Sequence, residues 1–143
     1  MTVPNRISII TFGVADLARS IAFYESLGWT NSATVPSIAF FEMQGSVFGL
    51  YEWSALADDA KVPADGTGFR GVTLAMNLAS TDEVDAVFAE WVAAGATAQV
   101  GPHTAFWGGY SSYVADPDGH LWEIAHNPYA RLDDDGRLVM GGS

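Results

Sequence analysis

Residues 115–124 read ADPDGHLWEI, a tight-turn signature followed by a short apolar strand with one carboxylate in its middle. Pro117 sets one backbone dihedral of the turn and Gly119 accepts a positive φ, so the chain is expected to reverse here between two antiparallel strands. Because side chains alternate along a strand, Glu123 points away from the face that carries Trp122 and Ile124. If that apolar face packs on helices, Glu123 faces whatever the other side of the sheet encloses.

Glu123 is therefore the first candidate functional residue. A carboxylate in a concave interior needs a metal, a cationic ligand or a hydrogen-bonding side chain as its partner. The alternative is a solvated side chain on an open sheet, and this stretch alone does not decide between the two.

Composition limits the possible functions. The chain has 143 residues, of which 49% are hydrophobic, enough for the core of one domain or two half-domains. The absence of cysteine excludes disulfides, thiol nucleophiles and thiolate metal sites. No signal-peptide pattern and no run of about eighteen apolar residues is present, so a cytoplasmic protein without a membrane partner is expected.

The chain is strongly acidic. It carries 17 acidic and 6 basic residues, for a formal net charge of −11, and such a surface repels nucleic acid and anionic membranes. No nucleic-acid partner is expected. The acids serve either solubility or the attraction of a cationic ligand.

The first half of the chain predicts a strand, a helix and three further strands. Asp16 stands at an N-cap position before apolar residues at helical spacing, and Gly28 ends that helix. The predicted strands cover residues 6–14, 29–35, 37–43 and 46–53. A polar stretch from Ser54 to Gly68 predicts a linker.

The second half repeats this order. A strand at 71–78 is followed by Ser80-Thr81-Asp82-Glu83, which has the form of a capping box, and Gly95 ends the helix. Three more strands are predicted at 96–100, 110–115 and 120–125. Each half is thus β-α-β-β-β, an internal repeat of architecture. The aromatic residues assigned to the two cores are Phe23, Tyr24, Phe88, Trp91 and Trp122.

A sheet with one helix on one face leaves its other face bare, so two such modules bury apolar surface best by facing each other or those of a second chain. The expected fold is α+β: two βαβββ modules forming a curved mixed sheet around a cavity, with helices on the outer face. The expected organisation is a single domain over 1–128, with module one at 5–54, a linker at 55–68 and module two at 69–128. An acidic C-terminal tail follows at 129–143.

The paired motifs resemble those of the vicinal oxygen chelate superfamily, the glyoxalase, bleomycin-resistance and extradiol-dioxygenase group. The resemblance covers about residues 5–128 and rests on GVADLARSIAFY at 13–24 and LGW at 27–29, then on EVDA at 83–86, AGA at 94–96 and the 116–119 turn with Glu123. It implies the paired-module fold and a homodimer whose neighbouring copies cover edge strands and apolar faces. It leaves function open, because one fold hosts many chemistries.

The resemblance also implies where a metal would bind. Metal-dependent members place a ligand at the position of Ile9, a second within residues 49–53, a third within residues 71–76 and the last at Glu123. Here Ile9 is apolar, residues 71–76 contain no ionisable group, and Glu52 serves only if its side chain points inward. One or two carboxylates without imidazole do not hold a transition ion, so no metal and no cofactor are expected.

The histidines do not add a metal site. His126 lies three residues after Glu123, an odd spacing that predicts opposite strand faces, and His120 follows the turn glycine. His103 is predicted in a loop after Gly101-Pro102. His103 precedes an aromatic, glycine-rich stretch at 106–110. That stretch either borders the cavity mouth, where glycines let the backbone approach a ligand, or forms an edge strand whose aromatics cap the core.

Two functions remain open. The first is a metal-free binding protein of the bleomycin-resistance type, a homodimer that sequesters a cationic or aromatic small molecule. The alternative is a glyoxalase-like lyase or isomerase in which Glu123 is the general base, with or without a divalent metal. Nucleophile-elbow, P-loop and dinucleotide patterns are absent. The predicted ligand-binding residues are Ile9, Thr11, Phe41, Tyr51, Met76, Trp107, Tyr110 and Glu123, of which Glu123 alone is the candidate catalytic residue.

Overall fold

A computed structural model describes residues 3–35 and 37–140. In chain order its elements are β1 (Ile9–Val14), α1 (Leu17–Ser26), β2 (Asn31–Val35), β3 (Ile38–Glu42), β4 (Val47–Glu52), α2 (Trp53–Ala60), β5 (Leu74–Asn77), α3 (Thr81–Ala93), β6 (Thr97–Thr104), β7 (Tyr110–Ala115), β8 (Leu121–His126), β9 (Arg131–Leu132) and β10 (Leu138–Val139).

The chain divides into two compact units, residues 1–66 and residues 67–143, called here the N-terminal and the C-terminal unit. The described residues of each unit form a four-stranded sheet, in the order β1-β4-β3-β2 in one and β5-β8-β7-β6 in the other. In both sheets the first strand runs parallel to the fourth and the remaining neighbours are antiparallel. The predicted α+β class and the βαβββ repeat are confirmed.

In the N-terminal unit, α1 begins where the sequence predicts. The Asp16 side chain accepts a hydrogen bond from the Arg19 backbone N–H at 3.0 Å, which satisfies one free amide of the first turn. The helix buries Tyr24 against the sheet, where its ring lies 4.9 Å from that of Phe48, measured between centroids. Phe12 meets Phe48 edge-on at 5.0 Å. These aromatic contacts place the core between α1 and one face of the sheet.

The C-terminal unit is built in the same way around α3. The Ser80 hydroxyl accepts from the Glu83 backbone N–H at 3.1 Å, and the Glu83 carboxylate accepts from the Ala79 N–H at 2.8 Å. Trp91 on the helix packs against Trp122 on β8, with ring centroids 5.2 Å apart. The described core of this unit includes the fully buried Val84, Val114 and Ile124, while Phe88 is half-buried.

The polar stretch predicted as a linker contains the helix α2. Glu52 caps it by accepting the Ala55 backbone N–H at 2.9 Å. The Trp53 indole N–H donates to the Ala64 carbonyl at 2.8 Å, and a Cβ at Gly13 would stand 3.1 Å from the Trp53 ring. The helix therefore packs on its own unit through Trp53 and the buried Ala57. The alanines and aspartates of residues 54–60 hid this from the sequence pattern.

The acidic tail predicted at 129–143 contains a short hairpin of β9 and β10 within its described part. Asp133 supports the turn, because its Oδ1 accepts from the backbone N–H groups of Asp135 at 3.0 Å and Arg137 at 2.8 Å. Across residues 3–35 and 37–140, no helix has the length and apolar character needed to cross a membrane.

Candidate functional site

The C-terminal sheet has two faces of opposite character. Trp122 and Ile124 of β8 lie on the face that packs against α3, so Glu123 lies on the other face, as side-chain alternation predicts. This second face is called here the Glu123 face. Register places on it the described strand residues Ala75, Asn77, Thr97, Val100, His103, Ser111, Tyr113, Ala115, Leu121, Glu123 and Ala125.

A buried serine holds the Glu123 carboxylate. The Ser111 Oγ donates a hydrogen bond to Glu123 Oε2 at 2.7 Å, and Ser111 is only 4% exposed. A hydrogen bond from a hydroxyl to a carboxylate is short and stronger than one between neutral groups. Within the described part of the C-terminal unit this is the only hydrogen bond to the carboxylate, so Oε1 keeps its capacity to accept.

Tyr113 stands beside Glu123 on β7, directly opposite it in the antiparallel register. Burial raises the pKa of the Tyr113 phenol, and the nearby Glu123 charge raises it further, while a hydrogen bond with the Thr73 side chain acts in the opposite direction. The phenol therefore keeps its proton at neutral pH. The result is a hydrogen-bond donor next to a hydrogen-bond acceptor.

Sequence reasoning missed both Ser111 and Tyr113. The indication was present, because the turn at 116–119 pairs Ala115 with Leu121 and so places Tyr113 opposite Glu123. Counting outward from the turn in steps of two would have found both residues.

Trp107 lies in the tip between β6 and β7 and is 36% exposed. A Cβ at Gly109 would overlap the Trp107 ring, so the indole lies directly against the Gly109 backbone. The Ala105 N–H donates to the Gly109 carbonyl at 2.7 Å and closes the tip. The glycine here serves the packing of the indole.

Tyr110 and Met76 lie on the α3 side of the sheet, which separates them from Glu123. The Tyr110 hydroxyl donates to Asp85 Oδ1 on α3 at 2.8 Å, and this hydrogen bond raises the pKa of Tyr110. Met76 pairs with Ile124, because β5 and β8 are parallel and in register with Ala75 beside Glu123. The sequence could not show this register.

The histidines also take definite places. His126 lies on the α3 side, opposite Tyr110, and its Nδ1 is 3.0 Å from the Leu78 carbonyl oxygen. His103 lies in β6, so the predicted loop at this position is wrong. β6 is an edge strand with two irregularities in register, where Pro102 is tolerated. His103 pairs with Ser111 on the Glu123 face.

The residues predicted in the N-terminal unit divide between the two faces of its sheet. Ile9, Thr11 and Tyr51 share the face opposite α1. Phe41 is fully buried on the α1 side, where its ring lies 6.2 Å from that of Tyr24. Phe41 is thus placed in the core. The sequence did not decide which side chains of β4 point inward, and the structure places Tyr51 on the face opposite α1.

Glu52 lies at the opposite parity from Tyr51 and caps α2, and its pKa is lowered from the ordinary 4.5, first by the Ala55 backbone hydrogen bond and then by Ser54. A capping carboxylate of this kind is engaged by backbone amides.

The donor set does not fit the transition-metal site implied by the metal-dependent relatives. Ile9 offers no ligand atom, Glu52 is engaged in capping, and Ala75 is the neighbour of Glu123 on β5. In the described ranges no cluster of three or more histidine, aspartate or glutamate side chains is placed to hold an ion. Glu123 by itself offers one carboxylate and no imidazole beside it.

Comparisons with known proteins agree with this architecture. The family model for the Glyoxalase/Bleomycin resistance protein/Dioxygenase superfamily matches residues 6–124. A glyoxalase-related enzyme from Fulvimarina pelagi is 34% identical, with a TM-score of 0.86 over 97% of this chain and 100% of that one. A glyoxalase/bleomycin resistance protein/dioxygenase from Nocardioides is 26% identical, with a TM-score of 0.74 over 99% of this chain and 93% of that one.

A lactoylglutathione lyase from Agrobacterium tumefaciens, at 23% identity, is similar in fold, with a TM-score of 0.67 over 87% of this chain and 96% of that one. No curated protein matches the sequence. The family-model match and the relative from Fulvimarina pelagi together show that the chain belongs to the glyoxalase/bleomycin resistance protein/dioxygenase superfamily.

Proposed function

We propose that the chain is a small-molecule binding protein of the sequestration or resistance type, and that Glu123 accepts a hydrogen bond from its ligand. The observation that carries this proposal is the Glu123 carboxylate, held by the buried Ser111 at 2.7 Å on the sheet face away from α3. A carboxylate fixed in this way has little rotational freedom left to lose when a ligand binds.

The ligand is a cationic or hydrogen-bond-donating aromatic compound. The Glu123 face supplies one negative charge at Glu123 and an aromatic ring at Tyr113 beside it. A charged acceptor favours an amine, amidinium or amide N–H, and a flat ring offers contact area at small entropic cost.

The proposed ligand binding needs no transition metal. The support is the donor set, in which Ala75 adjoins Glu123 and Ile9 replaces a ligand. We expect elemental analysis of protein purified without added metal to find less than about one transition ion per ten chains. Near-stoichiometric metal that is lost in Glu123→Gln would overturn this part of the proposal.

The proposed assembly is a homodimer. Apolar side chains on the sheet faces opposite the helices remain exposed, among them Ile9 at 52%, and each sheet has open edge strands. Sedimentation at tens of micromolar chain is expected to give twice the mass of the chain. A monomer would contradict the dimer.

Benzamidine is a suitable probe of the binding site, with benzoate as a matched anion. In an NMR titration we expect benzamidine to shift the amide resonances of β7 and β8, and Glu123→Ala to weaken binding about 10- to 100-fold. His126→Ala, on the opposite side of the same strand, is the control and should change the affinity less than about twofold.

Two results would overturn the binding proposal. One is the absence of benzamidine shifts in β7 and β8. The other is an equal loss of affinity in His126→Ala and Glu123→Ala, which would mean that the ligand does not bind on the Glu123 face.

A lyase or isomerase is the second candidate, favoured by the protonated Tyr113 phenol beside the carboxylate. In that reaction Glu123 takes a proton from a carbon next to a carbonyl and returns it to the carbon. Hydroxyacetone in D₂O would then exchange its carbon-bound hydrogen faster than in buffer, and Glu123→Gln would abolish the increase. Exchange at the buffer rate would contradict this candidate.

A further inference from the structure

Tyr113 and Glu123 form a cross-strand pair on adjacent antiparallel strands. Directly opposite residues have Cβ atoms about 5 Å apart, so one small ligand group reaches both side chains. Tyr110, the other tyrosine in the strands of this sheet, is hydrogen-bonded to Asp85 on the α3 side.

The two side chains offer complementary hydrogen-bonding atoms. Ser111 engages Glu123 Oε2, which leaves Oε1 as an acceptor. The Thr73 side chain lowers the pKa of the Tyr113 phenol, as a hydroxyl that donates toward the phenol oxygen does. A threonine hydroxyl donates one proton, so Thr73 can satisfy the phenol oxygen while the phenol proton is given to a ligand.

We propose that Tyr113 is a specificity-determining residue of the Glu123 site, which selects ligands that carry a donor and an acceptor on one planar group, as a carboxamide or lactam does. This inference rests on the binding function proposed above. The amide N–H donates to Glu123 Oε1 and the amide carbonyl accepts from the Tyr113 hydroxyl.

An amidinium ion has donors only, so it can use Glu123 but gains nothing from the Tyr113 proton. A carboxylate ion has acceptors only and is repelled by Glu123. A neutral carboxamide is the ligand class that satisfies both side chains, and the cost of burying an unpaired phenol hydroxyl adds to the discrimination.

Benzamide, benzamidine and benzoate share one ring and differ in this single group, so they form a matched probe set. We expect Tyr113→Phe to weaken benzamide binding about three- to tenfold and benzamidine binding less than twofold, as measured by NMR titration of the full chain. Glu123→Gln should weaken both. Tyr129→Phe removes a phenol hydroxyl from an exposed residue of the same unit and should change neither.

The outcomes separate this inference from the binding function. If benzamidine binds in a Glu123-dependent way but Tyr113→Phe leaves benzamide unchanged, or weakens both probes equally, the role of Tyr113 is overturned and the binding function stands. If benzamide does not bind where benzamidine does, the carboxamide preference is likewise overturned. If no probe shifts β7 and β8, both proposals fall together.

Discussion

Gly49 and Glu123 occupy the same place in the two units. Each is the third residue of a six-residue strand that runs parallel to the first strand of its unit and antiparallel to the third. Gly49 lies between Thr11 and Phe40, as Glu123 lies between Ala75 and Tyr113. One topology therefore presents a carboxylate and a phenol in the C-terminal unit, and a bare backbone and a phenyl ring in the other.

The comparison teaches that the shared fold sets the positions while single side chains set the chemistry. At Gly49 a Cβ would already stand 3.2 Å from Thr11 Oγ1 and 3.5 Å from the Phe40 ring. The N-terminal unit does carry a carboxylate near the end of its fourth strand, but Glu52 lies at the other parity and caps α2. At this position of the two sheets, the C-terminal unit carries a carboxylate and the N-terminal unit carries no side chain.

The largest expected effect concerns what the units have in common, the helix-side core. Trp91→Ala should lower the free energy of unfolding by about 3–5 kcal/mol, because it removes a large side chain that is 2% exposed and packed on Trp122. Urea denaturation measures the change. Val92→Ala, one residue along the same helix and 40% exposed, should cost less than about 0.5 kcal/mol. Equal costs would contradict the assigned core.

The next effect tests the crowding at Gly49. Gly49→Ala should destabilise the protein by about 1–2 kcal/mol, since Thr11 is β-branched and has little freedom to move away from the new methyl group. Gly101→Ala is the matched strand control, because no atom lies within 4 Å of its added Cβ. Thermal and urea denaturation of both variants measure this. A Gly49→Ala protein as stable as Gly101→Ala would show that the face has room for a side chain.

A smaller effect concerns the Glu52 carboxylate, which caps α2. The folded pKa of Glu52 is lowered from 4.5 by backbone hydrogen bonds, so its contribution to stability is present above 4.5 and is lost as the pH falls through the folded pKa. Glu52→Gln should therefore reduce the acid dependence of the unfolding free energy below 4.5, measured by urea denaturation at a series of pH values. If Glu52→Gln leaves the acid dependence unchanged, the capping role of Glu52 is contradicted.

The smallest effect distinguishes Tyr113 from its counterpart Phe40, which cannot titrate. The folded pKa of Tyr113 is raised above 10.0, so the folded state holds this proton longer and stability falls as the pH rises through the interval between the two pKa values. Ultraviolet titration should show that Tyr113→Phe removes a late-ionising phenol. Tyr110 also ionises late, because of its bond to Asp85, so Tyr110→Phe is the comparison. Loss of an ordinary phenol in Tyr113→Phe would contradict the buried environment.

Local features were predictable because their physical causes lie within a few residues. The Asp16 and Ser80 caps form where the pattern places them. The 116–119 turn closes as predicted, with Gly119 at φ 85°. Asp116 Oδ1 accepts from the backbone N–H groups of Asp118 at 2.9 Å and His120 at 2.8 Å. Such turns can be predicted from the sequence because short polar side chains accept hydrogen bonds from the backbone a few residues further on.

The sequence pattern could not show which residues of neighbouring strands share a face of the sheet. Phe41 and Met76 were predicted to line a binding site, but the structure places them against helices, because pairing register sets which face each residue shares with its neighbours. His103 was predicted in a loop since Gly101-Pro102 is a strong turn signal. An edge strand accommodates that pair through irregular register.

The sequence by itself determined the βαβββ repeat, the ends of α1 and α3, the α+β class and the orientation of Glu123 away from Trp122, all of which follow from periodicity and capping. Only the tertiary structure decided that the Ser111 hydroxyl holds Glu123 Oε2, that Glu52 caps a helix and that α2 packs on its own unit through Trp53. The physical reason is range. Caps and turns depend on neighbours along the chain. The neighbours of a side chain on a sheet depend on the register between strands, which no local preference specifies for strands that no tight turn joins.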